Sequence, residues 1–480
     1  MGLGRRIGDT LRLPTRRGRA ILVVLVVLAL AAAGGGAVAL QSPKLLAALG
    51  VKGASPVDAV MLAPVPQLAA LSATAPTPSA AGIASVVDPL SRERALGQFA
   101  GVVVDPAAQR GAAPLWQLSP EKPLAPGSTA KVLTSAAALL TLDATDRLST
   151  KVVAGSEPGQ VVLVGGGDPT LTALAAPKVG TYPDPSRLDD LVAGVRKSLP
   201  NQKIISIVVD NSLWTGPLLA PGWDPADVGA GNITPMVPLM LDGGRADPTL
   251  QDGPRVGDPS GDASKAFARK LGVPTSAITK GTAPPNAKKL AEVVSAPVSA
   301  LVEHLMTTSD NVLAETLARD VALSRQADPS FAGGSQQVLA ALSQAGFDVA
   351  GATMVDGSGL STSDRIPPRL LGAILGAAAA PTGPGQGVEF LRPIVSGLPV
   401  AGGDGTLDDR FDTTGAAAAG RGVVRAKTGT LTGVSALAGV VTDADGRLLV
   451  FALMSNGQSP ALSRPKLDGI AAALSRCGCR

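Results

Sequence analysis

Ser128 and Lys131 lie one helical turn apart in Pro126-Gly127-Ser128-Thr129-Ala130-Lys131-Val132-Leu133-Thr134, and the Ala/Leu-rich run continuing to Leu140 favours helix. Pro and Gly break the chain ahead of them. Ser128 is therefore expected at or near a helix N-terminus, with Lys131 on the same face. A hydroxyl and an amine so placed suit a nucleophile and its base, and the positive helix end lies where an oxyanion would develop. Alone, Ser-x-x-Lys is a short pattern that an N-capping serine and a surface lysine also produce. Two later strings add groups of the same chemistry: Ser309-Asp310-Asn311 and Lys427-Thr428-Gly429.

Other chemistries lack residues. The single histidine, His304, rules out a His-rich zinc site, and a Ser-His-Asp triad would have to use it. It lies in the helical-looking Val302–Met306 and reads as a partly exposed structural side chain. Cys477 and Cys479 are separated by one residue, which is no C-x-x-C site. A disulfide so closely spaced would be strained, so they read as tail residues. No metal and no cofactor are expected. Net charge is +4, with arginines gathered at the N-terminus and no basic stripe interleaved with aromatics, so nucleic acid is not an expected partner. Gly165-Gly166-Gly167-Asp168-Pro169 lacks the Gly-Lys-Ser/Thr of a phosphate loop. Gly402-Gly403-Asp404-Gly405-Thr406 has no companion nucleotide signal, and both strings read as turns.

The elements that must position these groups follow in chain order. At 480 residues more than one domain is expected, and with 2% aromatics the core must be Ala, Val and Leu. Residues 1–20 form an Arg-rich head expected to stay cytoplasmic. Ile21–Leu40 is an uncharged apolar run long enough to span a bilayer, either as an uncleaved anchor, which is slightly favoured, or as a signal peptide cut after Ala39. Residues 41–85, rich in Ala, Pro and Ser, read as a linker. Val86–Leu96 reads as helix. Phe99–Val104 and Pro114–Leu118 read as a strand pair. The block 146–299 changes to short β-branched runs among Gly/Pro loops and reads as inserted, β-rich domain material. Residues 301–326 return to helix, with Thr307–Asn311 in the middle, and Gln336–Ala345 follows as another. Two strands are expected near the end, Val424–Val441 and Arg447–Met454 with a turn at Asp445-Gly446, then a helix over Pro460–Leu474.

Ser-x-x-Lys, Ser-Asp-Asn and Lys-Thr-Gly, in this order, are the motif set of penicillin-binding proteins and class A β-lactamases. Across residues 86–475 the chain resembles the serine D-alanyl-D-alanine carboxypeptidase/endopeptidases, the class C low-molecular-mass penicillin-binding proteins. The resemblance rests on Pro126–Thr134, on Thr307-Thr308-Ser309-Asp310-Asn311-Val312-Leu313-Ala314-Glu315, on Asp356-Gly357-Ser358-Gly359-Leu360-Ser361 and on Arg425-Ala426-Lys427-Thr428-Gly429-Thr430-Leu431-Thr432-Gly433-Val434. It implies an α+β fold of the penicillin-binding/serine β-lactamase type, an antiparallel sheet flanked by helices. The catalytic domain would be residues 86–145 and 300–480, with the surplus chain between Lys131 and Ser309 forming the insert.

The resemblance also implies roles. Ser128 is acylated by a peptidoglycan stem peptide ending in D-Ala-D-Ala, or by a β-lactam. Lys131 is its base, kept neutral by desolvation and by Lys427 as a cationic neighbour. Ser309 relays a proton to the leaving amine, Asn311 holds the substrate amide and Lys131, and Asp310 is structural. Lys427 and Thr428 receive the terminal carboxylate, and the backbone N–H groups of Ser128 and Thr430 bind the oxyanion. Gly429 leaves room for substrate along its strand. The catalytic domain is expected outside the cytoplasm, in the cell envelope, anchored through residues 21–40 or secreted. The alternatives are a β-lactamase or esterase of the same fold, and a non-turnover penicillin-binding sensor or scaffold.

Overall fold

The computed structural model describes residues 75–381 and 389–480. The Arg-rich head, the apolar run 21–40 and most of the expected linker lie outside the described residues. Among the described residues no helix is long and apolar enough to cross a membrane.

The described residues form an α+β fold with two five-stranded sheets. The first is antiparallel, in the order β2-β1-β10-β9-β8: β1 Gln98–Val104, β2 Trp116–Leu118, β8 Arg425–Leu431, β9 Val434–Thr442 and β10 Leu448–Asn456. Strands from both ends of the chain meet here, with Gly101 opposite Leu453 and Lys427 opposite Ala438. β9 and β10 are almost wholly buried, because helices cover both faces and alternation is lost. One face packs on α1 (Ala80–Ser91) and α9 (Pro460–Ser475) through Ile83, Val87, Phe451, Leu453 and Ile470. The other packs on α2 (Lys131–Thr141), α5 (Val298–Thr308), α6 (Asn311–Ser324) and α8 (Pro368–Ala379) through Val132, Leu301, Leu313, Leu371 and Ala452. β8 is the edge strand.

The second sheet runs β6-β5-β4-β3-β7, built from β3 Arg147–Ala154, β4 Gln160–Val164, β5 Ser206–Asp210, β6 Ile278–Lys280 and β7 Lys289–Pro297. β4, β5 and β6 are parallel, and β3 is antiparallel to both its neighbours. Parallel strands need crossovers, and α3 (Leu188–Ser198) and α4 (Pro259–Leu271) supply them. Block 146–299 is thus mixed α/β, richer in helix than its β-branched runs suggest.

Four local readings change. The first helix begins at Ala80, where the Ser79 hydroxyl accepts from the Gly82 N–H, so residues 80–85 belong to helix, not linker. The helical stretch 301–326 breaks at Ser309, whose φ of 61° ends α5 before Asp310 caps α6. The expected strand 424–441 is two strands folded back at Thr432-Gly433, with Gly433 at φ 73°. Cys477 is buried and paired with Cys479, their Cα atoms 5.0 Å apart, where unpaired tail residues were expected. His304 is half-buried, with its ring against Tyr182.

Candidate active site

Ser128 sits in a 3₁₀ turn, Gly127–Ala130, that runs directly into α2. The Thr129 hydroxyl braces the turn by donating to the Pro126 carbonyl at 2.8 Å. Lys131 then points beneath Ser128 and is fully buried. Its Nζ donates to Ser128 Oγ at 2.9 Å, to Asn311 Oδ1 at 2.5 Å and to the Ser358 carbonyl at 2.7 Å. The last two are acceptors only. When Lys131 loses a proton, its remaining two N–H bonds stay with them and the lone pair faces Ser128 Oγ.

Burial lowers the Lys131 pKa from 10.5 to about 8, against the opposing pull of Asp356, Glu315, Asp310 and Asp364. Burial and the Asp356 charge raise the pKa of Glu315 and of Asp364, which limits the negative charge facing the amine. Lys427 is lowered well below the ordinary lysine range, first by burial and then by Lys131. Desolvation is therefore the main cause at Lys131, and the like-charge effect falls on Lys427 instead.

The bend at Ser309 brings its Oγ to Lys427 Nζ, which donates to it at 2.8 Å and to the Thr428 carbonyl at 3.0 Å. A serine in left-handed conformation is uncommon, and such strained residues cluster at functional sites. Asp310 holds the bend. One oxygen accepts from the Leu313 N–H at 2.9 Å, and the other accepts from Arg245 and from the Tyr182 hydroxyl, each at 2.9 Å. Asn311 Nδ2 donates to the Asn232 carbonyl at 2.8 Å. Three residues of block 146–299 thus grip the Ser309–Asn311 bend.

Gly429 lies where β8 crosses the Ser128 turn. A Cβ on it would come within 2.2 Å of the Pro126 carbonyl, so glycine is needed here to admit the turn. A Cβ on Gly127 would lie 2.8 Å from Thr430 N, which places that N–H beside Ser128.

A cleft of about 720 Å³ opens over these groups, and Ser128, Ser309, Asn311, Thr428 and Thr430 are on its wall. Lys131 and Lys427 are fully buried beneath it. All eight residues singled out from the sequence therefore gather in one place, but Lys427 lies beneath the cleft wall. Sequence reasoning passed over several supports. The Asp356–Ser361 loop offers the Ser358 carbonyl to Lys131 and the Gly357 carbonyl to Thr134. Glu315 accepts from the Gly357 and Ser358 N–H groups, and Asp356 from those of Gly359 and Ser361. Both carboxylates stand within strings quoted above. Arg245, Tyr182 and Asn232 carried no motif.

Residues 83–260 and 253–477 match the D-Ala-D-Ala carboxypeptidase 3 (S13) family. A carboxypeptidase of Mycobacterium tuberculosis is 43% identical over 408 residues, covering 85% of this chain and 86% of that protein. Carboxypeptidase DacB of Mycolicibacterium smegmatis is 44% identical over 419 residues, covering 86% and 88%. Among solved structures, penicillin binding protein 4 (DacB) of Haemophilus influenzae superposes with a TM-score of 0.65 at 20% identity, over 80% of this chain and 97% of that one, which shows the fold. With the three motifs gathered in one cleft, these likenesses lead to one conclusion: the chain belongs to the D-Ala-D-Ala carboxypeptidase 3 (S13) family of serine peptidases.

Proposed function

We propose that Ser128 is the nucleophile of a D-Ala-D-Ala carboxypeptidase acting on peptidoglycan stem peptides, with Lys131 as its base. The observation that carries this is the orientation of Lys131: two pure acceptors fix its N–H bonds and leave its third direction toward Ser128 Oγ. Ser128 Oγ attacks the carbonyl between the terminal D-Ala residues while Lys131 takes its proton. The backbone N–H groups of Ser128 and Thr430 face the developing oxyanion. As the C–N bond breaks, Ser309, held by its hydrogen bond from Lys427, gives its hydroxyl proton to the leaving D-Ala nitrogen and takes in its place the proton that Lys131 accepted, so Lys131 is neutral again. Asn311 orients Lys131 and the acyl chain. Water then releases the acyl group from Ser128. Cross-linked peptide is a second substrate by the same chemistry, and a β-lactam acylates the same serine.

Segment 399–401 pairs with the start of β8 at Arg425 and Ala426, and the edge beyond it, at Thr428, Gly429 and Thr430, supports substrate binding as an added strand. Residues 86–145 and 300–480 act as the catalytic domain, and 146–299 as an insert that braces Ser309–Asn311. The Arg-rich head and apolar run 21–40 support membrane attachment, with the cleft outside the cytoplasm.

The test is intact mass spectrometry of the chain with benzylpenicillin, wild type beside Ser128→Ala, followed by a peptide ending in D-Ala-D-Ala. A penicilloyl adduct lost in the variant, with D-Ala release by wild type, is expected. No adduct on folded wild-type protein would remove Ser128 from its role. Rapid turnover of penicillin would make the protein a β-lactamase instead.

A further inference from the structure

The string Gly402–Thr406, read from sequence as a turn without function, closes onto the cleft. Gly405–Leu407 forms a short 3₁₀ turn beneath the end of α5. A Cβ on Gly405 would come within 2.5 Å of the Thr307 carbonyl, so this turn sits two residues from Ser309. On its other side, Thr406 Oγ1 accepts from the Thr428 hydroxyl at 2.8 Å. Thr406 therefore ties the strand of Lys427 to the bend of Ser309. It is half-buried on the cleft wall, whereas Thr428 is only 8% exposed.

A threonine hydroxyl has one proton. One hydroxyl of the pair donates to the other, so Thr406 and Thr428 together keep one proton to offer the cleft. No other side-chain hydrogen bond occupies Thr406 among the described residues, and it is the more open of the two. Lys427 sits below the wall, fully buried, and already donates to Ser309 and to the Thr428 carbonyl. A carboxylate entering the cleft thus meets the paired hydroxyls before it meets Lys427.

We propose that Thr406 is a substrate-binding residue: its hydroxyl donates to the terminal carboxylate of the substrate, and Thr428 holds it in place. This rests on the acyl-transfer reading of Ser128 given above. Selection for a free C-terminal carboxylate then lies in the Thr406–Thr428 pair, with Lys427 buried beneath it.

The experiment compares benzylpenicillin with its methyl ester as acylating agents of Ser128, followed by intact mass, for wild type, Thr406→Val and Thr406→Ser. Valine keeps the shape and removes the hydroxyl. Wild type is expected to prefer the acid. Thr406→Val is expected to lower the acid-to-ester rate ratio by about 10- to 100-fold, the worth of a hydrogen bond to a charged group, with the ester rate little changed. Thr406→Ser is expected to keep the wild-type ratio. Equal loss on acid and ester, a serine variant as poor as valine, or no acid preference in wild type would overturn the assignment. No adduct on folded wild type with either agent would overturn the Ser128 reading itself, and the clamp with it.

Discussion

The acylation rate should follow the protonation of Lys131. Its ammonium is fully buried, and its pKa falls from 10.5 to about 8. That difference is worth about 3 kcal/mol between the charged and neutral forms. At pH 7 roughly one molecule in ten would hold a neutral Lys131, against roughly one in 3,000 for an unperturbed lysine, a gain of about 300-fold in competent base. Burial is the largest cause. Asp356, Glu315, Asp310 and Asp364 oppose it. The sign is fixed by the chemistry: the base must be unprotonated, so the rate rises with pH. Second-order acylation of Ser128 by benzylpenicillin, measured from pH 6 to 10, should climb about tenfold per unit and level off near pH 8. Lys131→Arg should abolish both the rate and the inflection, because a guanidinium stays protonated throughout. A flat profile from pH 6, or a rise continuing to pH 10, would refute burial as the activating device.

Other perturbations test the supports. Gly429→Ala drives a Cβ into the Pro126 carbonyl, so β8 must move off the Ser128 turn; acylation should drop at least about tenfold while the protein stays folded by circular dichroism, since the clash lies at a strand edge. Arg245→Met leaves the Asp310 charge buried without its ion pair, and urea unfolding should show a loss of about 3–5 kcal/mol; a loss under about 1 kcal/mol would mean the pair contributes little. Burial alone would raise the Asp310 pKa, but Arg245 and Arg255 outweigh it and hold the carboxyl well below its ordinary value. The stability this contributes is present above the unfolded pKa of about 3.9 and lost as pH falls below it, so Arg245→Met should flatten acid unfolding in that range. Ser309→Ala removes the acceptor of Lys427 and the route to the leaving nitrogen; peptide cleavage and penicillin acylation should both fall, since each breaks a C–N bond whose nitrogen needs a proton, and unchanged rates on both would count against a relay.

Local signals carried most of the element content. β-Branched runs marked β3, β4 and β5, and an Ala/Leu run behind Pro-Gly marked α2. Helices α3 and α4 were obscured by the Gly/Pro loops around them, and the break at Ser309 was hidden within an otherwise continuous helical stretch. A helix ends there because Asp310 offers its carboxylate to the Leu313 N–H, a contact that Ser-Asp-Asn allows but does not require.

The eight motif residues were legible because their chemistry lies in their types: a hydroxyl and an amine one turn apart, a second hydroxyl with an amide, and a lysine on a strand ahead of glycine. Sequence could also restrict the chemistry, since one histidine leaves little room for metal or imidazole mechanisms. It could not assign the tuning of those groups, which depends on burial and on partners far along the chain. Lys131 meets Asn311 and Ser358 across 180 and 227 positions, and Arg245 meets Asp310 across 65. Desolvation, charge and hydrogen-bond direction are properties of the packed interior. Only tertiary structure therefore decided that burial lowers the Lys131 pKa to about 8, that Lys427 lies beneath the cleft, and that Thr406 stands on its wall.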